Sequence, residues 1–209
     1  MDNLDQIYGE RFFARRHKLN WRCPIVCDPI IDFFHPTLLV DVGCGNADLV
    51  SYFSDKGVKA FGIEGTKNAE KFLMSKQVII HDITTPIDWK AMPFAGKLEV
   101  DLCLCFEVAE HLPEEFVMTF VHNLTQISNR VLLTAAPPGQ EGHHHVNCQP
   151  KKYWENIFSN FKFRSCPRPV EYLKSKWEPW RRKPGVKAYY ENLLYFTAGG
   201  CPCSSSMLP

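Results

Sequence analysis

The stretch "LLVDVGCGNADLVSYF", residues 38–53, decides the fold. A buried-looking apolar run breaks at Gly43 and Gly45. An amphipathic pattern then resumes at once, with Leu49, Val50 and Phe53 at helical spacing. Strand, glycine turn and helix in that order open a βαβ unit. The alternation continues outward through the strand-like runs "VKAFGIE" (58–64), "QVIIHD" (77–82), "EVDLCLCFEV" (99–108) and "RVLLTAA" (130–136). Between the last two, "PEEF" supplies the proline and acids that a helix N-terminus prefers, and Phe116, Phe120, Val121 and Leu124 form one apolar stripe behind it. Strands alternating with helices predict an α/β fold, a mostly parallel sheet covered on both faces. After a helix near "PKKYWENIF" (150–158), two late runs, "FKFRSC" (161–166) and "NLLYFTA" (192–198), are expected to pair antiparallel at the sheet edge.

Bulk properties fit one domain. The chain has 209 residues, 45% hydrophobic and 22% charged, which are globular values that argue against wholesale disorder. A net charge of +1 gives no global drive toward nucleic acid or acidic membranes. No run approaches the roughly eighteen apolar residues of a membrane span, and "MDNLDQIYGERFF" lacks the apolar core of a signal peptide. The nine cysteines show no paired C-x-x-C spacing, so no structural zinc is expected. Their placement on strands and helices reads as reduced thiols in a cytoplasmic protein. Three segments are expected: a helical N-terminal cap (1–36), the main domain (37–198) and a flexible tail (199–209).

The glycine turn gains meaning from the ends of the next two strands. Gly43 and Gly45 let a ligand approach the backbone where a β-carbon would exclude it. Glu64 ends the second strand, about twenty residues on, where a carboxylate can accept hydrogen bonds from both hydroxyls of a ribose. Asp82 ends the third strand, placed to receive the exocyclic amine of a base. The set reads as a site for a nucleoside-bearing cofactor. Asp48 stands where the G-x-G-x-x-G pattern of a dinucleotide site needs glycine, and a carboxylate there suits a cationic sulfonium better than a pyrophosphate.

On these residues, with "GIEG", "HDI" and "DLCLCFEVAEHLP", the chain resembles the class I S-adenosylmethionine-dependent methyltransferases from about Leu38 to Phe161. The resemblance implies a Rossmann-like seven-stranded sheet, mostly parallel with the last strand antiparallel. It implies S-adenosylmethionine as cofactor, with Asp41, Gly43, Cys44 and Gly45 at the methionine end and Glu64 on the ribose. Asp82 and Ile83 would hold the adenine, and Phe106 and Glu107 would border the cofactor. Ala47 departs from the family, which often has a third glycine there.

Methyl transfer needs an aligned nucleophile and, for an oxygen or neutral amine, a base. Candidates are Glu110 and His111 in "FEVAEHL" (106–112), and His143 or His145 in "AAPPGQEGHHHVNCQPKKYW" (135–154). If the histidine segment is extended, His143 and His145 point the same way. The loop could equally be structural. No metal is assigned; the alternative is a divalent-ion set of Glu107, Glu110, His111 and His145, similar to the metal-dependent RNA 2′-O-methyltransferases. The stretch 171–190 interleaves Trp177, Trp180, Tyr189 and Tyr190 with Lys174, Lys176, Arg181, Arg182 and Lys183. It could stack nucleic acid, cap a pocket, grip an anionic metabolite or be a solvated loop. Arg15, Arg16 and His17 of the cap are expected near the pocket. The expected acceptor is a small molecule or saccharide. RNA is the alternative acceptor, and a non-catalytic cofactor-binding partner subunit is the alternative outside enzymes.

Overall fold

The computed structural model describes residues 4–93 and 99–201. Seven strands form one sheet: β1 (Leu38–Val42), β2 (Lys59–Glu64), β3 (Val78–Ile80), β4 (Leu102–Cys105), β5 (Arg130–Thr134), β6 (Arg164–Ser165) and β7 (Leu193–Thr197). Their spatial order is β3-β2-β1-β4-β5-β7-β6. The first five are parallel, and β7 runs antiparallel to both β5 and β6. The sheet is therefore as expected, including the antiparallel pair at its edge. The order reverses between β1 and β4, which puts the crevice for a ligand beyond the carboxyl ends of those strands.

Side-chain alternation sends β1 residues to two separate cores. Leu38, Val40 and Val42 pack with Phe120, Val121 and Leu124 of α5 (Val117–Ile127) and with Trp154 and Phe158 of α6 (Lys151–Ser159). Leu39 faces the other way. It joins Val26 and Ile30 of α3 (Cys23–Phe34), Val50 and Phe53 of α4 (Asp48–Asp55), and Leu173 and Trp177 of α7 (Pro167–Trp177). In β4 the same split puts Cys103 and Cys105 in the first core and Leu102 and Leu104 in the second, so these thiols act as buried hydrophobes.

The N-terminal cap is helical in short pieces: α1 (Leu4–Ile7), α2 (Glu10–Arg16), a 3-10 stretch (His17–Arg22) and α3. The stretch 171–190 departs from the loop reading. Trp177 ends a helix and is fully buried, and Tyr189, in α8 (Lys187–Asn192), is buried against Phe106. Trp177 is core and cannot stack on a base, whereas the Tyr189 ring, though buried, reaches the lining of the cavity described below. Trp180 remains half-exposed beside Trp21, their ring centroids 6.1 Å apart.

The cysteine expectation is corrected at one pair. Cys166 and Cys201 form a disulfide, with Cα atoms 5.8 Å apart. The Cys166 amide donates to the Tyr195 carbonyl, so β6 brings this cysteine alongside β7, and the chain after β7 turns back to meet it. Spacing along the sequence carried no sign of that approach. Cys23, Cys27, Cys44, Cys103, Cys105 and Cys148 are free. Gly199 to Cys201, assigned to the flexible tail, is tethered by the bridge. The remainder of that tail, 202–209 with Cys203, lies outside the described residues. Closing a loop of this length is worth about 2–4 kcal/mol. Cys201→Ser should therefore lower stability in urea by about that amount, and a reductant should bring the wild type to the variant's level while leaving the variant unchanged.

Candidate active site

The glycine turn is shaped by β2. The amides of Gly43 and Cys44 donate to the Ile63 carbonyl at 2.7 and 3.1 Å. The Gly45 amide donates to Glu64 Oε2 at 2.8 Å, and the Thr66 amide donates to Oε1 at 3.2 Å. Gly43 and Gly45 have φ of +72° and +58°. A β-carbon on Gly43 would fall 2.2 Å from Cγ2 of Val108. Ala47 also sits at positive φ (+56°) at the start of α4, so glycine would adopt this backbone without the usual cost. The fold accepts alanine there with its methyl buried in the second core.

Asp48 requires a correction. Its carboxylate is outside the lining of the cavity described below and pairs with Arg22 at 3.0 Å, both side chains buried. It therefore presents no bare charge to a pyrophosphate. A pyrophosphate is disfavoured for a different reason: the turn amides that would hold it are already taken by Ile63 and Glu64.

A cavity of about 290 Å³ lies over this turn. Gly43, Gly45, Glu64, Asp82, Ile83, Glu107 and His111 line it. Asp82 Oδ1 accepts from both the amide and the hydroxyl of Thr84, which fixes the carboxylate at the end of β3. Asp41, Cys44, Phe106, Glu110, His143 and His145 are not in the lining. Asp41 is buried beneath it, Cys44 packs on Gly62, and Phe106 stands behind the lining ring of Tyr189. Of the cap residues that close the cavity, Arg16 was expected from the sequence, while Tyr8, Phe12, Phe13 and Arg22 were not. "ERFFARR" carries the signal in retrospect, since Phe12, Phe13 and Arg16 share one helical face. Arg15 and His17 are exposed on the other side.

The segment after β4 turns sharply. Glu107 has φ of +58°, and its amide and carboxylate both bond the Thr134 hydroxyl, at 2.7 and 2.8 Å. Only a single 3-10 turn, Ala109–His111, comes next. Glu107 is therefore turned away from Glu110 and His111, and the expected divalent-ion set of Glu107, Glu110, His111 and His145 does not assemble as a whole. Instead Glu110, His111 and His145 gather, with one donor atom of each within 4.8 Å of the others. Neither Glu110 carboxylate oxygen has a hydrogen-bond partner. Burial, then the neighbouring Glu107, pushes this carboxyl up to about 8; the backbone amides of Glu110 and Ala136 ease the rise without completing a hydrogen bond. His111 Nδ1 bonds the His144 carbonyl at 3.2 Å, and burial pushes its pKa down to about 4.

The histidine loop is not extended. His144 lies at positive φ, so His143 and His145 diverge. His143 bonds the Ile7 carbonyl of the cap at 3.1 Å, while His145 bonds the Gln140 carbonyl and packs edge-on to His111. The loop is tied down by the Val146 and Asn147 amides, which both donate to the Glu110 carbonyl at 3.0 Å.

Sheet order and glycine turn together define the fold of the class I S-adenosylmethionine-dependent methyltransferases. No protein-family profile matches the chain. It is similar to magnesium protoporphyrin IX methyltransferase from Synechocystis PCC 6803 with bound S-adenosylmethionine: TM-score 0.57, 15% identity, 94% of this chain and 89% of that one covered. It is also similar to the plantazolicin methyltransferase BpumL, at TM-score 0.57 and 12% identity, over 89% of this chain and 88% of that one. By sequence it is similar to the small RNA 2′-O-methyltransferase of Arabidopsis thaliana, 25% identical over 166 residues. That match takes in 73% of this chain, which spans only 18% of the length of the curated relative.

Asp41 gives a test of the site's electrostatics. Burial first, then Asp48, pushes its carboxyl up to about 8. The folded state keeps a proton that the unfolded state releases above about pH 4, so this group's contribution to stability falls as pH rises from about 4 to 8. Asp41→Asn should be more stable than wild type at pH 8, by on the order of 1–3 kcal/mol, and equal to it near pH 4. Thermal unfolding at the two pH values measures the difference.

Proposed function

We propose that this chain is an S-adenosylmethionine-dependent methyltransferase acting on an oxygen or nitrogen of a small-molecule or saccharide acceptor. The observation that carries this reading is one cavity lined by Gly43 and Gly45, Glu64, and Asp82 with Ile83, from the ends of three successive strands. The residues fit the cofactor. Each Glu64 oxygen holds one backbone donor and retains capacity to accept a ribose hydroxyl. Gly43 and Gly45 present no side chain to the cavity and Cys44 packs away from it on Gly62, while Asp82 is fixed to accept an amine. The similarity to methyltransferases that bind this cofactor supports the assignment.

When bound, S-adenosylmethionine supplies a methyl group already activated on a sulfonium. This chain aligns the acceptor and keeps water out. Val108, Leu112, Phe12 and Leu4 give the cavity apolar walls. His111 takes the role that the sequence offered equally to His143 and His145. Its Nδ1–H donates to the His144 carbonyl, which leaves Nε2 as the acceptor atom on an imidazole that is neutral at physiological pH. A weak base suffices, because an oxygen becomes far more acidic as it gains the methyl group. His143 instead holds the cap.

A second reading has a specific observation behind it. The partnerless Glu110 carboxylate, with His111 and His145, fits a divalent cation. The two imidazoles are each oriented by a backbone carbonyl, as metal-binding histidines commonly are. Glu107, spent on Thr134, would not belong to the set. That arrangement suits the alternative of an RNA 2′-O-methyltransferase, and the Arabidopsis relative is in keeping with it. No described helix is long and apolar enough to cross a membrane. Six free thiols among the described cysteines keep the cytoplasm as our assignment, with Cys166–Cys201 as the point against it.

Calorimetry should show binding of S-adenosylmethionine and none of NAD, and Glu64→Ala should weaken binding by roughly 1.5–3 kcal/mol. Tight NAD binding would overturn the reading. Turnover against a panel of metabolites, sugars and short RNAs, with and without chelator, separates the two acceptor classes. On the accepted substrate, His111→Ala should lower kcat by roughly 10²–10⁴, with cofactor affinity nearly unchanged. His143→Ala should leave kcat within a few-fold.

A further inference from the structure

Arg16 is a half-buried guanidinium on the last turn of α2, and it rests against the glycine turn. Its Nε lies 3.2 Å from the point that a β-carbon on Gly45 would occupy, with Cζ and Nη2 at 3.8 Å. It lines the cavity. Its guanidinium packs over the Phe12 ring at 5.3 Å, and among the described residues no carboxylate comes within ion-pair distance of it. The other guanidinium of the lining, Arg22, is committed to Asp48.

We propose that Arg16 binds the carboxylate of the cofactor's methionine moiety, so that the N-terminal helix is a wall of the cofactor site. This rests on the methyltransferase reading above. Charge selects the partner. At neutral pH the cofactor carries two cations, a sulfonium and an ammonium, and one anion, the carboxylate. The lining offers acids to answer the cations, among them Glu64 and Glu107. For the anion it offers Arg16, because Arg22 is paired and the His81 ring is engaged with Thr85. Location selects the same partner. The ribose and base acids stand at the ends of β2 and β3, so the amino-acid end falls beside Gly45, where the guanidinium lies. An anionic acceptor is the competing occupant, but it would need to reach past the cofactor to touch the glycine turn. Planar guanidinium and carboxylate also match as a bidentate pair.

Three probes decide it: S-adenosylmethionine, S-adenosylhomocysteine and 5′-methylthioadenosine, which has the adenosine and sulfur but lacks the amino acid. Calorimetry on the full chain compares wild type, Arg16→Gln and Arg16→Lys. Arg16→Gln should weaken the first two ligands roughly ten- to a hundredfold and methylthioadenosine less than twofold, with Arg16→Lys recovering part of the loss. Unchanged binding of all three, or an equal loss for all three, would overturn the role of Arg16 while leaving the methyltransferase reading in place. Wild-type protein that binds none of the three would overturn that reading itself. Circular dichroism of each variant confirms that the comparison is between folded proteins.

Discussion

Three backbone amides of one turn, those of Gly43, Cys44 and Gly45, are consumed by the end of the neighbouring strand. The geometry of the site depends on that constraint. Two amides converge on the Ile63 carbonyl, which forces the chain to fold sharply back, and only glycine takes the required positive φ at 43 and 45 without strain. The third amide goes to the Glu64 carboxylate, so the same group that could meet a ribose also anchors the turn. Burial raises the Glu64 carboxyl above its ordinary range, while the Gly45 and Thr66 amides act against the rise. A site that needs a rigid turn and a placed carboxylate obtains both from one interaction.

The cap depends on this turn as well. Asn46 Nδ2 donates to the Phe13 carbonyl, the Thr66 hydroxyl to Asp5, and Arg22 pairs with Asp48 beneath. The buried ion pair is better understood as a register device than as a large source of stability. Desolvating both charges offsets much of their attraction, but leaving either one alone would be costly. It therefore sets where the 3-10 stretch meets α4, and so where Phe13 and Arg16 reach the cavity. The Asp48 carboxylate lies in the first turn of its helix, where the helix dipole also favours it.

On the opposite rim, polar groups are concentrated against apolar walls. Glu110 is fully buried without a hydrogen-bond partner, which is unusual enough to require an occupant or a proton. A neutral imidazole beside it, held by a backbone carbonyl, serves either an acceptor hydroxyl or a cation. The two readings of the site meet at His111 and differ in what its free ring nitrogen faces.

The sheet was legible because its code is local. Each strand is a short apolar run, each turn has its glycine, and alternation along "LLVDV" assigns side chains to two faces whatever the neighbours are. Glu64 and Asp82 were legible for the same reason, since a strand end is a position in the sequence. The rest was not local. Whether Asp48 is free or paired depended on Arg22, twenty-six residues earlier, and whether His143 and His145 point the same way depended on one positive φ at His144. Cys166 found Cys201 only because β6 and β7 pair. Trp177 looked like part of a binding surface by composition and became core by packing, while Tyr189 of the same stretch reached the cavity wall. Sequence by itself determined the order of elements and the residues at their ends. Tertiary structure decided which of those residues share a cavity, because charge pairing and burial act between segments that the chain separates.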